Sequence, residues 1–319
     1  MAKLHLKLAM DRYDFLLPFQ QGKLEAQGLD IELVTLDSKT RHERMWHDQA
    51  FDACEFSMGG YIVARARGSD SLSAIPYFPR RMFGHHYCFV RADSDVRKPA
   101  DLRGGRIGIR TYENTLAIFV KGMFAHDYGL PVEDVTWVCA NNELVGTKPP
   151  ASIKVEQLEP GSKLEDLLIA GEIDASVEPA LPRSWVDGGS KLRRLFPDFR
   201  EAEQEYYRRT NVFPIMHPIV LKAEIAKYEP WVARSLFDLL VQTQRRHRVF
   251  MQQPQRLSFA FGAAYVEEER AFFGKDPFAQ GLRENRHDLE TLIAFCDEQG
   301  VLDRRVTADE LFSKNTQST

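Results

Sequence analysis

Lys98-Pro-Ala-Asp-Leu-Arg-Gly-Gly-Arg-Ile-Gly-Ile-Arg-Thr-Tyr-Glu-Asn-Thr115 decides how this chain is read. Pro99 to Leu102 fits one helical turn, Gly104-Gly105 a tight turn, and Arg106 to Ile109 a buried strand. A hydroxyl-rich corner follows and leads into a helix expected to start near Thr111. A strand that enters a helix this way turns free backbone N–H groups and the positive end of the helix toward its carboxyl edge. Thr111, Tyr112 and Thr115 are then candidates for contacting a carboxylate-bearing ligand. The alternative is an ordinary strand-to-helix turn with Thr111 as N-cap.

Outward from this stretch, strand-like and helix-like segments alternate. Leu4, Leu6, Leu8 and Met10 recur with period two, the pattern of a strand. Further strands are expected over Leu29–Leu36, Phe51–Glu55, Ser73–Tyr77, Tyr87–Arg91, Val135–Cys139, Ile153–Leu158, Ile173–Val177 and Ile215–Leu221, with a long helix over Pro230–Met251. Such alternation predicts an α/β fold with largely parallel sheets. The character of the sequence changes near 91–98 and near 210–215. This predicts a discontinuous first lobe (1–92 and 214–319), a second lobe (93–213) and a ligand cleft between them.

The 319 residues carry a net charge of −4, with no Lys/Arg tract interleaved with aromatics, so nucleic acid is not an expected partner. No run reaches the roughly 20 apolar residues of a membrane span, and the first residues lack the apolar core of a secretory signal. A cytoplasmic protein with no membrane partner is expected. The oligomeric state stays open, a homo-oligomer among the alternatives. Cys54, Cys88, Cys139 and Cys296 are dispersed and read as small buried hydrophobes. His42 and His47 stand five apart, not at the i, i+4 spacing of helical metal ligands. Neither a metal nor a nucleotide cofactor is implied.

Asp101-Leu-Arg-Gly-Gly-Arg-Ile-Gly-Ile109 and Leu168-Ile-Ala-Gly-Glu-Ile-Asp-Ala175 resemble two stretches of the second lobe in type II periplasmic-binding-protein folds. Phe51-Asp-Ala-Cys-Glu-Phe-Ser57, Ala74-Ile-Pro-Tyr-Phe-Pro-Arg-Arg-Met-Phe-Gly-His85, Arg194-Leu-Phe-Pro-Asp-Phe199, Tyr206-Tyr-Arg-Arg-Thr-Asn-Val-Phe-Pro-Ile-Met-His217 and Pro230-Trp-Val-Ala-Arg-Ser235 resemble the 4,5-dihydroxyphthalate decarboxylase family. The resemblance runs from the first strand to near Phe312. It departs from the family pattern at Arg110, at the acidic corner Tyr112-Glu113-Asn114 and at His86. It implies a two-lobed fold with mixed sheets and an interlobe cleft. It also implies a carboxy-lyase of phthalate catabolism, without cofactor, acting on a small aromatic carboxylate: a hydroxylated, phthalate-like diacid, with 4,5-dihydroxyphthalate converted to protocatechuate by ring protonation and CO2 loss.

That chemistry needs a general acid near the carbon bearing the leaving carboxylate, a group holding the phenol, and cations for any second carboxylate. The family-like blocks offer His85 and His217 as acids and Arg81 as a carboxylate clamp. His85 and His86, neighbours in an expected strand, would face opposite sides. Carboxyl ends of strands supply the rest: Arg12 and Tyr13, Glu55 as reserve acid, Ser57, and Glu178. Arg110, just before the expected helix, is a further carboxylate contact. Arg208 and Arg209 read better as partners of acidic residues on their own helix. Two other readings remain: a solute-binding or sensor protein for an aromatic carboxylate, and an enzyme of the same fold with a different metabolite.

Overall fold

The computed structural model describes residues 2–159, 161–189 and 191–319. The chain forms strands β1 (Leu4–Met10), β2 (Leu29–Thr35), β3 (Ala53–Glu55), β4 (Leu72–Arg81), β5 (Cys88–Arg91), β6 (Arg106–Ile109), β7 (Thr136–Cys139), β8 (Lys154–Gln157), β9 (Ala175–Val177), β10 (Leu192–Arg194) and β11 (Ile215–Lys222). They build two mixed sheets, ordered β2-β1-β3-β11-β4 and β10-β5-β9-β6-β7-β8. β1 pairs in parallel with β2 and β3, whereas the returning β11 is antiparallel to both β3 and β4. In the second sheet β6 to β9 are parallel where they pair, and β5 runs against β9 and β10. β5, expected in the first lobe, thus belongs to the second sheet; the crossing falls between Arg81 and Cys88 because the ladder partners of β5 lie at Ala175–Val177 and Leu192–Arg194.

The period-two pattern of β1 is used on both faces. Leu6, Leu8 and Met10 pack with Tyr77, Leu236 and Phe237 under the helix Trp231–Met251, while Ala9 faces the other way into the main core. That main core does not stop at the lobe boundary. It joins Cys54, Ile62 and Val220 of the first lobe to Ile107, Phe119 and Val177 of the second.

Two expectations about local structure are corrected. The helix after β6 begins at Thr115, not near Thr111, because the Asn114 side chain takes the Ala117 N–H and caps it there. His85 and His86 lie in a single 3-10 turn, His85–Tyr87, rather than in a strand.

The lobes approach closely at Gly59, in the helix Met58–Ala66. A Cβ at this position would sit 2.7 Å from the Glu113 carbonyl oxygen and 2.8 Å from Ile118 Cδ1. Gly59→Ala is expected to lower stability by about 1–3 kcal/mol through overpacking. Urea unfolding checks this: a midpoint equal to the parent's would show that the lobes do not press together there.

Candidate active site

β3 ends at Glu55, whose side chain is fully buried. A carboxylate at such depth needs partners, and it has them. Glu55 Oε2 accepts the Asp11 N–H at 2.9 Å and forms an ion pair with Arg41 Nη2 at 3.0 Å; Oε1 accepts the Tyr13 hydroxyl at 2.6 Å and lies 2.5 Å from His217 Nδ1. Arg41, itself without exposure, is fixed by the Glu55 and Leu36 carbonyls. Burial pushes the Glu55 carboxyl upward, but the His217 hydrogen bond and charge, the Arg41 charge and the Tyr13 hydroxyl outweigh it and hold it at about 2. An ionised Glu55 requires the proton on Nδ1 of His217.

His217 stands on β11 where the pairing with β4 slips on both sides of it. Pro218 follows and has no N–H for the ladder. Because of this irregularity the neighbours Met216 and His217 both line one cavity, which a regular strand would not allow. His217 Nε2 has no partner among the described residues, and the residue lines this cavity. Burial lowers the His217 pKa below 6.5, opposed by Glu55 and aided by the Arg80 and Arg41 charges, so the free ring is neutral at pH 7.

The cavity has a volume of about 330 Å³ and lies between the lobes. Arg80 from β4 and Arg110 from the end of β6 put guanidinium groups on its wall. His42 joins them, its ring centroid 4.9 Å from that of His217 and its Nε2 buried without a partner. Burial, then His217 and the Arg41, Arg110 and Arg80 charges, drive the His42 pKa well below 6.5. Contacts between the lobes close the rim: Lys39 Nζ to Asn141 Oδ1 at 3.2 Å, Arg80 Nη2 to the Pro179 carbonyl at 3.0 Å, and Ser57 Oγ to Thr115 Oγ1 at 3.1 Å.

A 4,5-dihydroxyphthalate decarboxylase of Comamonas testosteroni is 29% identical over 320 residues, covering 98% of this chain and 97% of the relative. A protein of the same name from Pseudomonas putida is 32% identical over 214 residues, covering 65% of this chain and 83% of the relative. The chain belongs to the 4,5-dihydroxyphthalate decarboxylase family. A family model described as "NMT1/THI5 like" matches residues 16–148 of this decarboxylase-family chain. Its fold is that of the periplasmic aliphatic sulphonate-binding protein SsuA from Escherichia coli, at a TM-score of 0.54 and 11% identity with all of both chains covered. The family and two-lobed fold expected from sequence are therefore borne out.

Of the expected site residues, His217, Ser57, Arg110, Thr111 and Thr115 line the cavity. Glu55 and Tyr13 stand behind His217 rather than on the wall. His85 is corrected: it is 1% exposed, with Nε2 3.1 Å from the Tyr128 hydroxyl, and packs on Phe196 and Tyr206. Burial takes its pKa down to about 3, so the ring is uncharged at neutral pH. Arg81 is corrected too. It points away from the cavity into an ion pair with Asp288, bonding Asn285 and the Phe213 carbonyl; its neighbour Arg80 lines the cavity instead, because successive strand residues face opposite sides. Arg12 is exposed, and Glu178 is half-buried beside Arg110 without lining the cavity. Tyr112 is buried with its hydroxyl on the Gln299 carbonyl. The corner's anion cradle is filled from within: the Tyr112 and Glu113 N–H groups donate to Glu143 at 2.6 and 2.9 Å.

Arg41, His42 and Glu143 are not legible as site residues in the sequence, and of the adjacent pair Arg80 and Arg81 the family-like block favours the one that faces away from the cavity. His42 was weighed only against a metal spacing, and the unpaired nitrogen that marks it is invisible in sequence.

Because the folded Glu55 carboxyl titrates at about 2 against 4.5 ordinarily, it contributes stability that is complete above pH 4.5. That contribution, roughly 3 kcal/mol, is lost as pH falls through about 2. Glu55→Gln should remove this part of the acid dependence in equilibrium unfolding between pH 5 and 2. An unchanged slope would show that Glu55 is not held ionised in the fold.

Proposed function

We propose that the chain is a carboxy-lyase converting 4,5-dihydroxyphthalate to protocatechuate and CO2. The observation that carries this reading is the His217–Glu55 couple at the edge of a cavity that also presents Arg80 and Arg110. The names of the two curated relatives support it.

The geometry fits the chemistry step by step. Arg80 and Arg110 supply forked donors for the two carboxylates of a phthalate. A dianion placed beside His217 favours the imidazolium, so substrate binding at pH 7 takes up a proton at Nε2 while Glu55 holds the Nδ1 proton. The phenol oxygen para to one carboxylate pushes an electron pair into the ring. Nε2 delivers its proton to the carbon bearing that carboxylate. The carbon–carboxylate bond then breaks, its electron pair restores the aromatic ring, and CO2 departs. The ring accepts and returns the electrons itself, so the step as written calls on no external electron sink. Met82, Met216 and Leu116 give the cavity an apolar side that favours a leaving group losing its charge.

The test is incubation of the purified protein with 4,5-dihydroxyphthalate, following CO2 release and protocatechuate. His217→Gln should reduce kcat by about 10²–10⁴-fold with the fold intact by circular dichroism. kcat/KM should fall as pH rises through the free imidazole's pKa, which lies below 6.5, and keep falling up to pH 7 and beyond, since the ring must gain a proton on binding. Tight binding of the diacid with no CO2 would instead favour a ligand-binding protein on this fold.

A further inference from the structure

We propose that Glu143 recognises the phenolic hydroxyl of the ligand, taking the O–H that lies para to the departing carboxylate. This deepens the reading above and rests on its substrate class. Glu143 lines the same cavity as His217, Arg80 and Arg110. Its Oε1 accepts the Tyr112 N–H at 2.6 Å and its Oε2 the Glu113 N–H at 2.9 Å, which fixes the carboxylate and leaves each oxygen a second lone pair.

Those two N–H groups are the ones the corner after β6 would otherwise offer to a ligand anion. Glu143 occupies them, and Glu113 stands close by, held by the Val145 N–H at 2.6 Å and by Thr147. A wall with two carboxylates repels a carboxylate and accepts an O–H. The ligand's acid groups are therefore directed to Arg80 and Arg110, and its hydroxyls to Glu143. His42 also lines the cavity, and its Nε2 is buried and unpaired among the described residues. Burial and the Glu113 charge raise the Glu143 pKa to about 7. That narrows its distance in proton affinity from a phenol and strengthens the bond between them.

The test measures the affinities of protocatechuate and benzoate by equilibrium titration for the parent protein, Glu143→Ala and Glu143→Leu. In the parent, protocatechuate should bind at least tenfold more tightly than benzoate. In Glu143→Ala the preference should shrink to less than threefold, with benzoate bound as tightly as before or more tightly, because the Tyr112 and Glu113 N–H groups are freed for an anion. Glu143→Leu keeps most of the side-chain volume but has no acceptor, and should show the same loss of preference if the alanine variant does not fold. An unchanged preference, or equal weakening of both ligands, overturns the proposal. The readout needs no catalysis: a protein that binds without decarboxylating leaves this inference standing. An active parent whose Glu143 variants keep the full preference sinks it while the proposed reaction survives.

Discussion

The Glu55 carboxylate gathers Asp11, Tyr13, Arg41 and His217 from parts of the chain up to about two hundred residues apart. A buried charge of this kind is stable only when every partner is in place, so it ties the end of β1, the helix Ser38–Asp48, β3 and β11 to one arrangement. The cavity inherits that rigidity. His217 is oriented from behind by an ionised acid, and its remaining nitrogen has no partner among the described residues. Arg41 plays a double part, balancing the Glu55 charge and adding to the field that keeps His42 and His217 neutral before a ligand arrives.

The two lobes meet over more than the rim of the cleft. A common apolar core, the close approach at Gly59, and the Ser57–Thr115 and Lys39–Asn141 bonds all join them. The helix Leu282–Glu298 reinforces this, with Phe295 packed so closely on Gly122 that no side chain fits between. Such a closed arrangement suits chemistry that must exclude water from a ring carbon. The SsuA likeness is one of backbone path alone, so the reaction has to be argued from the residues on the cavity wall.

Much of the fold was legible because it is written in local periodicity. The alternation of Leu4 to Met10 and the Gly-rich turn before β6 give strands where the pattern predicts them. The site was legible where position along a strand decides it: Ser57, Arg110 and Thr111 follow strand ends, and His217 lies in the stretch most specific to the family. It failed where parity decides. Arg80 and Arg81 are chemically equal in sequence, and only the pleat sends one to the cavity and the other to Asp288. It failed again where a group's partner is distant: nothing near Tyr112 announces that Glu143, thirty-one residues on, fills the cradle. His85 looked reactive and is a packed aromatic neighbour of Phe196 and Tyr206.

The central claim is that His217, held by Glu55, faces the carbon that loses its carboxylate. A crystal structure with phthalate, which lacks the activating hydroxyls, tests this most directly. The account predicts the ring between the lobes, its carboxylates on Arg80 and Arg110, and a carboxylate-bearing carbon about 3–3.5 Å from His217 Nε2. A diacid seated elsewhere, or bound here with His217 turned from the ring, would contradict it.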